Sequence, residues 1–298
     1  MVDGGREVTL LVSERRNLRT FEDLAQASRE LIREELLEVA HPKSRERLKG
    51  LDWRGVFIEV AYQRWRIPAA RPRIVDICPE FLEDLRQADR KTKAGMRDVL
   101  VRLETGKDLT DLISERAMKS KPKERDRFLS DWHLHHLHVY PQSGDLIFAH
   151  IDDQIARLVA LRPHGNWAEL EIAHRCQRNW PGVILLEPIG DFRPSVTVSD
   201  EDLRELQHAG VTTLISSVDG RAMLGRGQTT TGHPLFLIEA ANALAWRLNE
   251  LECGRVSGIT RPSDWRPYLT EDLTRLGMWR EHSQQLIPVA GLIPARAW

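Results

Sequence analysis

The sequence predicts an α+β protein, with central helices packed on an antiparallel three- to four-stranded sheet. This centre is flanked by an N-terminal α/β region and a C-terminal αββα region. Three observations carry that reading. Apolar residues recur at helical spacing in the long stretches that follow Thr20 and Pro79. Three short apolar runs, 133–140, 145–151 and 155–162, are separated by Ser143-Gly144 and Asp152-Asp153. Connections this short favour antiparallel neighbours. Hydrophobic residues make up 41% and charged residues 29% of the 298, a globular composition that excludes a disordered chain.

Each element follows in order. Residues 8–12 form a short strand candidate. Thr20 caps a helix, with Asp23 three residues on. Leu24, Ala27, Leu31, Leu36 and Val39 are its apolar positions, and His41-Pro42 ends it. Residues 56–62 fit either a strand or a buried helix, because their period does not decide. Residues 67–73 are a linker holding Pro68 and Pro72. Residues 74–77 are a strand candidate, and 79–103 are one or two helices stopped at Gly106. The meander then follows a basic stretch, 116–127. After Pro181, Ser199 and Asp202 cap a helix that Gly210 stops. Residues 212–218, Asp219-Gly220 and 221–224 form a hairpin. An apolar helix runs from Pro234 to about Leu251. The loop 225–232 lacks the Gly-Lys-Ser/Thr ending of a phosphate loop and reads as a connection. Three consecutive regions result: 1–70, 73–180 and 181–298.

Composition narrows the function classes. The formal net charge is -1, so no global field draws in nucleic acid or an acidic membrane, and any RNA contact must come from a local patch. Cys78, Cys176 and Cys253 are too scattered for a disulfide framework or a thiolate zinc site, and read as three buried thiols. No secretory signal or membrane span is seen. The expectations are a cytoplasmic protein, no membrane partner and no cofactor. The nine tryptophans are expected to be mostly core or inter-domain anchors.

The densest chemical feature is the run Asp131-Trp132-His133-Leu134-His135-His136-Leu137-His138-Val139-Tyr140. Its context is a short strand, helices, a basic loop and a three-stranded meander that ends in Leu161-Arg162-Pro163-His164-Gly165-Asn166-Trp167. Over residues 73–170 this order resembles the RelE/ParE-like toxin superfamily. The resemblance implies a concave sheet face opposite the helices, used by the ribosome-dependent RNases of that family to cut messenger RNA without a metal. It also implies RNA or the ribosome, or an antitoxin or other protein, as partners. Basic and imidazole groups would hold the phosphate and move protons at the ribose 2′-hydroxyl and the leaving oxygen. This sheet departs from the pattern by carrying histidines where catalytic members use arginines or lysines.

Strand alternation assigns candidates. Leu137 and Val139 share one face, and His136 and His138 the other. In the third strand Ile155, Arg157, Val159 and Leu161 share a face, opposite Ala156, Ala160, Arg162 and His164. If the apolar faces meet the helices, His136, His138, Arg162 and His164 converge as catalytic candidates on an open face. Trp167 offers a stacking surface and Lys119, Lys121 and Lys123 contact phosphates, as substrate-binding candidates. His135, and His133 if the strand begins there, fall on the structural side. Three uses of the cluster stay open: an acid/base site, a metal site completed by His164 or His150, and a structural or partner-binding ladder. The corresponding functions are a toxin-type RNase, a metal-dependent hydrolase, and a non-enzymatic regulatory or interaction protein that reuses the fold.

Overall fold

The computed structural model describes the chain except residues 1, 4–5, 8–9, 14–17, 114–126, 165–168, 184–185, 195–197, 210, 212–213, 226, 228, 230–232, 271–274, 284 and 292–298. In chain order the first elements are β1 (Val2–Asp3), β2 (Arg6–Glu7), β3 (Leu10–Val12), α1 (Phe21–Val39), α2 (Pro42–Leu48) and α3 (Trp53–Arg66). Next come β4 (Ile74–Ile77), α4 (Pro79–Gln87), α5 (Arg90–Thr105), α6 (Arg127–Trp132), β5 (His135–His138), β6 (Asp145–Ile151) and β7 (Ile155–Pro163). The last are α7 (Leu170–Asn179), β8 (Leu186–Pro188), α8 (Asp200–Ala209), β9 (Leu214–Ser216), β10 (Ala222–Gly225), α9 (Leu235–Glu252), β11 (Arg266–Thr270), β12 (Arg275–Arg280) and β13 (Gln285–Gly291). Helices and antiparallel sheets coexist, so the fold is α+β as expected.

The chain divides into two compact units, Met1–Gln63 with Phe236–Trp298, and Arg64–Leu235. The sequence reading cut it into consecutive regions instead. The first and third of those regions meet in one sheet, because β3 pairs with β11 in the order β13-β12-β11-β3. Long-range strand pairing of this kind leaves no local mark on the sequence.

In the first unit, Thr20 and Asp23 form the expected capping box: Asp23 N–H donates to Thr20 Oγ1 at 3.0 Å and Thr20 N–H to Asp23 Oδ2 at 2.9 Å. Such a cap stabilises a helix by about 1 kcal/mol. The ambiguous residues 56–62 are helical, within α3. They sit almost wholly buried, and burial on all sides erases the period that would have separated helix from strand.

The second unit is built on the sheet β4-β7-β6-β5. β4 runs parallel to β7, and the meander β5–β6–β7 is antiparallel. Its helical layer is α4 and α5. Phe81, Met96, Val99 and Leu103 from these helices pack on Leu137, Val139, Ile147, Ala149 and Leu158. Gly106 ends α5 at φ 73, the left-handed conformation that favours glycine. Close packing of this layer needs Gly95, where an added Cβ would lie 2.7 Å from Val139 Cγ1.

One composition-level expectation changes. Cys78 and Cys176 are buried, but Cys253 is exposed in the turn that follows α9. Trp65, Trp132 and Trp265 are core residues, whereas Trp246 is 54% exposed beneath the Arg247 guanidinium.

Candidate functional site

The histidine segment straddles two elements. His133 N–H donates to Leu129 O at 2.9 Å as α6 closes, and His133 itself has φ 54. That left-handed turn keeps it out of the strand, which starts at His135. His135 is buried on the helix side, its Nε2 3.2 Å from Trp65 O.

His136 and His138 do lie on the opposite face. His136 is registered against Phe148 and His138 against Leu146, and Leu146 in turn against Arg162. This face was expected to be open, and it is not. Trp132, Leu134, Leu146, Phe148, Val159 and Ala160 form a second core with Ile172, Ala173 and Cys176 of α7, Leu203 of α8 and Ile215 of β9. His136 is 7% exposed and His138 9%.

The strict alternation assumed for β7 also fails. The register shifts between Phe148 and Ala149, so that Phe148 opposes Ala160 and Ala149 opposes Leu158. This bulge adds one residue to β7. Leu161 then faces the helix-side core, while Val159 joins Ala160 in the second core.

Arg162 is committed to an ion-pair network. Its Nη1 lies 2.7 Å from Asp84 Oδ2 and its Nε donates to Glu169 Oε2 at 2.9 Å. Arg175 of α7 shares the same Asp84 oxygen at 2.6 Å, and Leu161 N–H donates to it at 3.2 Å. Burial alone would raise the Asp84 carboxyl; the bonds from Arg175, Arg162 and Leu161 more than offset it and hold the group below its ordinary value. The network continues through Arg178 to Glu171 and Glu80. It ties α7 to α4 across the part of the β7 edge that β4 leaves uncovered.

His164 is exposed beyond the end of β7, and its N–H donates to Gly144 O at 2.6 Å. Its ring stacks on His138, with centroids 6.1 Å apart and planes at 21°. Nδ1 of His138 lies 2.9 Å from Ser143 O. A carbonyl only accepts, so this nitrogen carries the proton and Nε2 is the basic one. Burial chiefly, and then the neighbouring His136 and His164, hold His138 below the usual histidine range, against the Ser143 bond. His138 is therefore neutral at pH 7. The four catalytic candidates thus share one face and its end. Only His164 is exposed, and Arg162 is taken up by carboxylates.

Lys119, Lys121, Lys123 and Trp167 lie outside the described residues. Among the described residues, no group of three or more His, Cys, Asp or Glu is placed to hold a metal ion, and no helix is long and apolar enough to cross a membrane.

Sequence reasoning missed a second polar row on the same face. Arg157 Nη1 donates to Asp152 Oδ2 at 2.8 Å and lies 3.3 Å from His150 Nδ1. Burial, with the Arg157 charge beside it, pushes His150 down to about 4, against a smaller opposing pull from Asp152. The sequence signal was available: His150 and Arg157 each lie an even number of residues from the Asp152-Asp153 turn, which sets them on one face of the hairpin. No family model, curated protein or solved structure matches the chain.

Proposed function

We propose that residues 64–235 form a regulatory or protein-interaction module that reuses a toxin-type fold and does not cut RNA. One observation carries this reading: the polar groups of the candidate face are built into packing. Arg162 is held by Asp84 and Glu169, and His136 and His138 are buried on the sheet face that carries the second core. A group that must meet a phosphodiester needs access to it. A cytoplasmic location belongs to the same proposal and draws support from the unpaired thiols Cys78 and Cys176.

A metal-independent RNase of the RelE/ParE-like type is the second reading. The exposed His164, stacked on His138, favours it. One experiment separates the two: incubate the full chain with messenger RNA, with and without ribosomes, and compare it with His138→Gln and Arg162→Met. The interaction reading expects no cleavage and a lowered unfolding midpoint in Arg162→Met. Cleavage that is lost in both variants at unchanged stability overturns it.

A further inference from the structure

We infer that the outer edge of β4 is a docking site for an extended peptide strand of alternating apolar and basic residues. The N–H groups of Ile74 and Cys78 donate inward, to Gln154 O at 2.8 Å and Leu158 O at 3.3 Å. Alternation along a parallel ladder turns the N–H and C=O groups of Val75 and Ile77 the other way. No strand pairs with that side among the described residues.

The rest of the β7 edge is closed differently. Asp84 takes the Leu161 N–H, and the Cys78 thiol lies 3.2 Å from Val159 O. On this side of the sheet β4 presents a ladder that no described strand pairs. No proline, lysine or bulge lies within Ile74–Ile77, and the one charge on this short edge is Asp76.

The side chains specify the occupant. Ile74 is 70% exposed, the highest value of any large hydrophobic residue among those described. Asp76 is exposed two residues on, on the same face of the strand. Trp180 Nε1–H donates to Asp76 Oδ2 at 2.7 Å, which fixes the carboxylate at the edge and leaves Oδ1 for a cation. An added strand with its basic residues on the face of Ile74 and Asp76 and its apolar residues on that of Val75 and Ile77 therefore gains main-chain bonds at Val75 and Ile77, an ion pair at Asp76 with the basic side chain's stem over Ile74, and apolar contact beside the half-buried Val75 and Ile77. A second copy of β4 fits less well. Antiparallel pairing that uses Val75 and Ile77 of both copies sets Asp76 opposite Asp76, with like charges facing.

This inference names the partner class for the interaction reading, yet it is tested separately from it. RNA cleavage would refute that reading and leave binding at this edge untouched. The probe is a short capped peptide alternating valine and lysine, titrated onto the full chain, with amide exchange followed residue by residue. Binding should slow exchange at Val75 and Ile77 and leave Ile74 unchanged. A glutamate-for-lysine peptide should bind about tenfold more weakly, as should Val75→Pro, whose ring removes one donor and blocks the edge. Asp76→Lys should reverse the preference between the two peptides, and it keeps the inference testable if Val75→Pro does not fold. Absence of binding overturns the inference. So does binding that leaves the Val75 and Ile77 amides unprotected, or self-association of the chain that protects them without peptide.

Discussion

Replacing Asp84 by alanine tests whether the ion-pair network holds α7 on the sheet. The Asp84, Arg162 and Arg175 side chains are 14%, 17% and 11% exposed, so water screens them only partly. Removal of Asp84 leaves two guanidinium groups without their shared carboxylate and the Leu161 N–H without an acceptor. Breaking a buried pair costs about 3–5 kcal/mol. Arg162 keeps Glu169, which puts the expectation at the lower end, about 3 kcal/mol. Asp84→Asn retains an oxygen for Leu161 N–H and should cost less, about 2 kcal/mol. The carboxyl is held below its ordinary value of 3.8. Its contribution is therefore present above that value and is lost as the pH falls through the lower folded-state one. Urea titration monitored by amide exchange in β6 and β7 reads this unit alone. A loss below about 1 kcal/mol for Asp84→Ala would mean that the pair behaves like a surface ion pair, and the clamp argument would be wrong.

Two further outcomes are expected. Free histidine takes its proton near 6.5 but folded His150 only near 4, so the unfolded chain binds more protons between these values. Stability should therefore fall as the pH drops from 6.5 to 4, by up to about 3 kcal/mol. His150→Gln should flatten that part of the urea-midpoint profile; an unchanged acid slope would assign it to other groups. In Gly95→Ala, the new methyl meets Val139 Cγ1 at 2.7 Å and Val139 O at 2.9 Å. Because the second of these is main chain of the β5 segment, a loss of about 1–3 kcal/mol is expected in urea unfolding, and Val139→Ala in the same chain should recover only part of it.

What the sequence revealed and what it hid divide along a physical line. Features fixed by near neighbours were legible: the Thr20–Asp23 capping box, the Gly106 stop, and the meander, whose second strand falls on 145–151 as read. The parity of His136 and His138 was also legible, since their strand is regular. Parity along β7 was not, because a bulge depends on the partner strand, and a single extra residue exchanges the faces of everything after it. The decisive omission was α7. Leu170, Ile172, Ala173 and Cys176 line one side of it, while Glu171, Arg175 and Arg178 carry the ion pairs. That amphipathic pattern stood in the sequence directly after the meander, and an amphipathic helix must bury its apolar stripe somewhere. The helix-side face of the sheet already had α4 and α5. The free partner was the face that carries His136 and His138, and the apolar residues alternating with them across the sheet, Phe148 and Ala160, are what such a helix requires. A face that alternates histidine with phenylalanine and alanine is better suited to packing than to binding a polyanion. Among the described residues of this sheet, exposed polar groups sit at its rim: His164 beyond the end of β7 and Asp76 on β4.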